Sequence, residues 1–316
     1  MSRYRALLSF CVLAVAWGSA FAAIKAGLAY FDPVFFAALR YDLAAVLMLA
    51  YAAYATPRWR PRTRAEWTAV AVGAVLLIAA YHALLFVGED LPGVTSAGAA
   101  VVVSLSPVLT TAFSRLVLPE TRFSPLGIVG LLLGLVGVAV LVVPPAAVRT
   151  GDLSAVLGSN AVGLLFVLGA AAAFALGSVL TERIDAGLPP ATMEAWAMLL
   201  GALLLNALSL GLGESQAVPL TIESLGALGY LSVVASGFGF LVYFDLHERL
   251  GSVEINLVSY VAPVVAAVVG WALLGETVDV TTALGFLVIF AGFCLVKRDT
   301  LREELSRITA VAHRAE

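Results

Sequence analysis

Arg40 stands seven residues after Pro33, inside an otherwise apolar run. At 1.5 Å per residue it lies about 10 Å along a helix that begins at that proline. A guanidinium matches a carboxylate bidentately, so one chemistry open to Arg40 is the clamping of an anionic group. The other is a structural ion pair with Asp42, Glu194 or a backbone carbonyl. His82 sits deep in a later apolar run, where an imidazole can relay a proton, hydrogen-bond a solute, or pack as a satisfied neutral ring. Tyr81, Trp17, Trp196, Tyr243 and Tyr260 offer aromatic surface with a polar edge, the usual lining of sites for small organic molecules. Each alone is more often ordinary core or an interfacial anchor. Ser106, next to Pro107, adds a hydroxyl. The candidate site is thus Arg40, Tyr81, His82, Trp17, Ser106 and Tyr260, with Pro107 and Pro263 as candidate hinges that free backbone carbonyls.

These residues must be positioned by apolar helices. Of the 316 residues, 61% are hydrophobic and 12% charged, against roughly 45–50% and about 25% in soluble domains. A membrane-spanning helix takes roughly 20 apolar residues, which leaves room for about ten. Apolar runs predict spans over 6–27, 34–55, 67–88, 94–117, 125–143, 160–181, 191–212, 225–244, 254–274 and 279–297. The separators are short and carry Pro, Gly or charge, as in Asp32-Pro33 and Glu89-Asp90-Leu91-Pro92. The first run, after Arg3 and Arg5, has the look of a secretory signal ending in Ala20-Phe21-Ala22. We read it as a retained span, because cleavage would leave nine helices.

In that setting an intramembrane charge demands a reason, at roughly +2.5 to +3.5 kcal/mol for Arg, Lys or Asp at a helix centre. Asp42 is two positions from Arg40, hence on another face, so the two do not pair within the helix. Lys25 is near a helix end and is expected to snorkel to headgroups. Glu194 is read as a first-turn acid favoured by the helix dipole or as a proton carrier. Glu120 and Glu276 are expected at opposite membrane surfaces. Gly127, Gly130, Gly134 and Gly137 predict close helix approach, within the chain or against another protomer.

Several classes are excluded. The formal net charge of −3 leaves no basic surface for nucleic acid. Cys11 and Cys294 are isolated, and His247-Glu248-Arg249-Leu250-Gly251 lacks the second histidine of a zinc helix. No phosphate loop and no Gly-x-Ser-x-Gly elbow occurs. Neither a metal nor a cofactor is called for, and no constellation of nucleophile and base argues for an enzyme.

Alternate sides of ten helices share the basic residues very unequally. One side, with both termini, holds Arg3, Arg5, Arg58, Arg60, Arg62, Arg64, Arg115, Arg122, Arg183, Arg249, Lys297, Arg298, Arg302, Arg307 and Arg314; the other holds Lys25 and Arg149. The positive-inside rule places both termini in the cytoplasm of a cell membrane protein. Leu301, Leu305, Ile308 and Ala312 make residues 299–316 an amphipathic tail, lying on lipid or solvated.

The two halves are similar. Ser106-Pro107-Val108 and Pro119-Glu120-Thr121 reappear as Ala262-Pro263-Val264 and Gly275-Glu276-Thr277, both 156 residues on. Trp17-Gly18-Ser19 is answered by Leu176-Gly177-Ser178, 159 residues on. Residues 1–150 and 151–298 then form two five-helix repeats, and the odd number inverts the second in the membrane. The fold class is an all-α polytopic membrane protein of ten transmembrane helices. Inverted repeats characterise secondary transporters.

With Ala23-Ile24-Lys25 and Ala38-Leu39-Arg40-Tyr41 added, the chain from about 6 to 297 resembles the EamA-like ten-helix members of the drug/metabolite transporter superfamily. It departs in lacking a tryptophan at Leu176 and a second-half counterpart of Arg40, which makes any site built on them asymmetric. The resemblance implies a carrier of a small organic metabolite, an amino acid or related compound, often an exporter. Its partners would be that solute, membrane lipid and a coupling proton. A nucleotide-sugar or sugar-phosphate carrier is the narrower alternative, less favoured because a phosphate asks for more than one deep basic residue. A non-transporting scaffold or a membrane enzyme is the wider one.

Overall fold

The computed structural model describes residues 3–117, 125–143, 159–250 and 257–298. Glu120, the loop at His247 to Gly251 beyond its helical residues, and the tail 299–316 lie outside the residues or side chains described. All regular structure within them is helical, in ten apolar helices: α1 (Arg3–Gly27), α2 (Pro33–Ala55), α3 (Arg64–Asp90), α4 (Ser96–Val117), α5 (Pro125–Val142), α6 (Ser159–Ile184), α7 (Pro190–Leu212), α8 (from Ile222 to Leu250), α9 (Val258–Leu274) and α10 (Val280–Val296). Eight are long and apolar enough to cross a membrane, and α9 and α10 are shorter apolar helices in the remaining two expected places. Large apolar side chains along them stay exposed, among them Val46, Leu203 and Val268 at 66, 56 and 58%. Helices apolar on all faces need lipid on the side that protein leaves uncovered. This is a polytopic all-α membrane protein.

Local signals set the helix ends. Pro33 and Pro190 open α2 and α7 at positions whose N–H would be unbonded anyway. Thr63 and Glu66 cap α3 reciprocally, which starts that helix three residues before the apolar run does. Thr221 with Ser224 caps α8 in the same way, and Asp279 accepts from Thr282 N at 2.7 Å to begin α10. Gly213 and Gly275 take φ of 74° and 68° just past α7 and α9, a left-handed turn that only glycine adopts freely.

Two caps come from distant sequence. Glu214, after α7, accepts from Val34 N at 3.1 Å and Phe35 N at 2.8 Å, closing the start of α2. Glu276, after α9, accepts from Ser96 N and Oγ at 3.1 and 3.2 Å, closing the start of α4. Carboxylates are stabilised at such N-termini by unbonded N–H groups and the helix dipole. The opposite end of the bundle is tied by Thr192 Oγ1 and Trp196 Nε1 of α7, which donate to the carbonyls of Arg58 and Trp59 at 2.9 and 2.8 Å.

The glycine series of α5 is consumed within the chain. A Cβ on Gly130 would stand 2.6 Å from Gly292 O, and one on Gly137 would stand 2.8 Å from Gly285 O, so α5 and α10 touch backbone to backbone. The earlier glycine of α5 meets the later glycine of α10 and the reverse, hence the helices run antiparallel. Gly285 and Gly292 each follow their α5 counterparts by 155 residues. The contact thus pairs equivalent positions of the two helices with each other.

Four helices depart from regular α geometry. Helices α3 and α8 contain π-helical stretches at Gly73–Ala80 and Tyr230–Phe238, starting 157 residues apart in corresponding places of the two halves. Helix α4 is interrupted between Val103 and Ser106. Helix α9 continues through Pro263 and ends in a π-helical turn, Gly270–Leu274.

Candidate functional site

The π stretches expose backbone that the polar side chains use. In α3, His82 Nδ1 lies 2.9 Å from Ile78 O, its ring turned back one helical step. A carbonyl only accepts, so Nδ1 carries the hydrogen and Nε2 accepts from the Tyr41 hydroxyl at 2.7 Å. In α8 the corresponding carbonyl is Ala235 O, 157 residues on, and Trp17 Nε1 of α1 donates to it at 3.0 Å. A carbonyl at matching points of the two π stretches is thus held by an aromatic N–H, once within α3 and once from α1.

Arg40 joins the two halves, and Tyr41 ties α2 to α3. Arg40 Nε donates to Ser236 Oγ in the α8 stretch at 3.0 Å, and Tyr41 grips His82 of α3. Arg40, Tyr41 and His82 are 6, 1 and 5% exposed, so the group is shut within the protein. Among the described residues no carboxylate lies within 4 Å of the guanidinium, which also sits 5.2 Å from the Tyr41 ring centre. Asp42 turns elsewhere, accepting from Asn206 Nδ2 at 3.2 and 3.1 Å, as the two-residue spacing requires.

Aromatic rings enclose this group. Tyr81 packs edge-on to His82 at 4.5 Å and against Phe174 of α6 at 5.4 Å. Trp17 lies 5.8 Å from Phe240 and 5.5 Å from Tyr243 of α8. Gly239 makes room for the indole, since a Cβ there would fall 2.8 Å from Trp17 Nε1. Glu194 of α7 is within electrostatic reach of both Tyr41 and Tyr243.

Four of the six expected site residues, Arg40, Tyr81, His82 and Trp17, thus converge on the α3 and α8 stretches. Ser106 and Tyr260 make other contacts. Ser106 Oγ donates to Val103 O at 2.7 Å, the carbonyl left without its helical partner by Pro107. Tyr260 packs on Phe290 and Phe293 of α10 at 5.4 and 4.4 Å. Its buried hydroxyl has no hydrogen-bond partner among the described residues. Pro107 lies at the interruption of α4, whereas Pro263 is inside α9, where α1 crosses so closely that a Cβ on Gly18 would be 2.7 Å from Ala262 O.

Lys25 does not snorkel. Its Nζ donates to the Glu89 main-chain carbonyl at 2.5 Å, fastening α1 to the end of α3. Sequence reading passed over Tyr41, Ser236 and Glu89. Tyr41 had the polar edge used to nominate its neighbours, but Ser236 carries no signal until folding sets α8 against α2.

A family model described as the EamA-like transporter family matches residues 4–143 and 161–298. The chain is similar to the uncharacterized transporter YvbV of Bacillus subtilis, with 29% identity over 98% of this chain and 96% of that protein. It is 31% identical to the uncharacterized inner membrane transporter YedA of Escherichia coli K12, over 93% and 92% of the two chains. A solved crystal structure with 23% identity superposes with a TM-score of 0.65 over 96% of this chain and all of the other, which shows a shared fold.

Proposed function

Because the chain belongs to the EamA-like transporter family, we propose that it is a secondary transporter that moves a small organic metabolite bearing a carboxylate, such as an amino acid, by alternating access. The observation that carries this reading is Arg40. Its guanidinium is buried, is held through Nε by a neutral hydroxyl, and has no carboxylate within 4 Å among the described residues. A desolvated cation in that state is matched by an anionic group of a solute, which a guanidinium binds bidentately through its other nitrogens.

Trp17, Tyr81 and Tyr243 supply apolar and aromatic walls beside it, while Ser106, Tyr260, Pro107 and Pro263 belong to the parts of α4 and α9 that flex. The two repeats, 1–150 and 151–298, reorient about Arg40 so that solute meets one side at a time. The charge count favours cytoplasmic termini, which puts Lys25, Glu214 and Glu276 at the outer end and Arg58 at the inner one. Export is the net direction.

The test begins with thermal unfolding of detergent-purified protein against amino acids, other carboxylates, sugars and amine drugs, since a ligand of the folded state raises its stability. A saturable shift from a carboxylate, lost in Arg40→Ala, followed by uptake of that compound into inverted vesicles, is expected. Transport of every active solute left unchanged by Arg40→Ala would sink the clamp.

A further inference from the structure

Glu89, next to last in α3, is fully buried, and neither carboxyl oxygen has a hydrogen-bond partner among the described residues. It is the one carboxyl group in that condition among the described residues. The groups facing it are few. From α1, Lys25 Nζ sits on the main-chain carbonyl of Glu89 itself. From α2, Arg40 acts on it electrostatically, as do Glu276, which is anchored on Ser96 of α4, and Tyr81, two turns earlier in α3. Asp90 is its neighbour in α3. Helix α6 packs here so tightly that a Cβ on Gly88 would be 2.8 Å from Gly163 O, and between Asn160 and Thr181 it carries no titratable residue.

An ionised carboxylate removed from water and from every donor costs several kcal/mol. A neutral acid in the same place does not carry that charge penalty. The position of Lys25 gives a second, independent observation. An ammonium beside a carboxylate anion pairs with it, yet this ammonium bonds the carbonyl of the same residue and leaves both carboxyl oxygens bare.

We propose that Glu89 is a proton-binding site, and that loss of its proton draws Lys25 from the main-chain carbonyl to the carboxylate. The O–H bond of the acid breaks, the proton passes to water at the nearer membrane face, and the ammonium replaces it as the compensating charge. Return of the proton sends Lys25 back. Lys25 is on the same helix as Trp17, whose indole holds Ala235 in the α8 stretch, so the exchange acts on the element that lines the Arg40 group. His82 is the less suitable proton carrier here, since both ring nitrogens are already bonded.

The site is read without any solute, so its test is separate from that of transport. Infrared difference spectra of protein in liposomes, taken across a pH series, are expected to show a protonated-carboxyl band that is lost as the pH is raised. Glu89→Gln is expected to lack that band, and Lys25→Met to keep it to higher pH. A Glu89→Gln series identical to wild type overturns the proposal. So does a carboxyl signal that follows exchange of sodium for choline at fixed pH, which marks a sodium site. Should Glu89→Gln not fold, Glu89→Asp keeps an acid in place and is expected to move the band; a band unmoved by that change overturns it equally.

Discussion

Arg40 Nε and Ser236 Oγ, 196 residues apart in sequence, meet at 3.0 Å and are both buried. The bond fastens α2 of the first half to the π stretch of α8 in the second, one residue past the carbonyl that Trp17 holds. Arg40 therefore belongs at once to the proposed solute clamp and to the seam between halves. Ser236→Ala leaves the Nε donor without an acceptor in a buried place, a loss of about 1–3 kcal/mol. Chemical unfolding of the detergent-solubilised variant checks this. A stability equal to wild type would show that the bond contributes nothing.

Arg40→Lys keeps the charge and loses the fork that grips a carboxylate. With one charge-assisted hydrogen bond worth about 1.5–3 kcal/mol, solute affinity should fall roughly 10- to 100-fold at 1.4 kcal/mol per decade. Transport KM and equilibrium binding should move together. Loss of turnover at unchanged affinity would instead make Arg40 a seam residue alone.

Tyr41 is the donor that completes His82. Tyr41→Phe leaves Nε2 buried with no partner, and destabilisation of about 1–3 kcal/mol is expected. His82→Phe with Tyr41→Phe removes both polar groups and should recover part of that loss, because an apolar pair leaves nothing unsatisfied. A double-mutant cycle on thermal stability decides it, with strict additivity as the contrary result.

Close approach at the α5–α10 crossing is set by glycine. In Gly137→Ala the added carbon would lie 2.6 Å from Ile289 Cγ1 and 2.8 Å from Gly285 O, the latter being backbone that cannot swing aside. Overpacking of this kind costs about 1–3 kcal/mol. Gly211→Ala in α7, with no described residue within 4 Å, should be neutral or stabilise by up to about 1 kcal/mol. Unfolding midpoints of the two variants are expected on opposite sides of wild type, or at least well separated.

Asp279 lies just outside α10. Partial desolvation pushes its carboxyl up, but hydrogen bonds from Thr282 N and from the Thr282 and Thr281 side chains outweigh it and hold the group below the usual carboxylate range. Because the folded value is depressed, the capping contribution is present at neutral pH and is lost as the pH falls through the acid range. Asp279→Ala should be less stable than wild type at pH 7, and the gap should narrow on acidification. A constant gap would show that the charge is irrelevant to the cap.

Much of the architecture was legible in the sequence because its signals are local. Apolar runs of span length, prolines at first helical turns and capping threonines identify ten helices wherever they pack. The repeat at offsets of 156 and 159 residues predicts inversion, and α5 and α10 cross antiparallel at the Gly130–Gly292 and Gly137–Gly285 contacts. Arg40 and His82 stood out because a charge or an imidazole is rare in such runs. What they touch did not.

Sequence alone determined the class of molecule, since apolar composition and helix length are properties of each segment taken by itself. Tertiary structure decided the partners. Only the approach of α8 to α2 makes Ser236 the acceptor for Arg40, and only the meeting of α1 with α3 turns Lys25 from lipid to the Glu89 carbonyl. Hydrogen bonds act over about 3 Å, and no local pattern brings residues 64 or 196 positions apart to that distance.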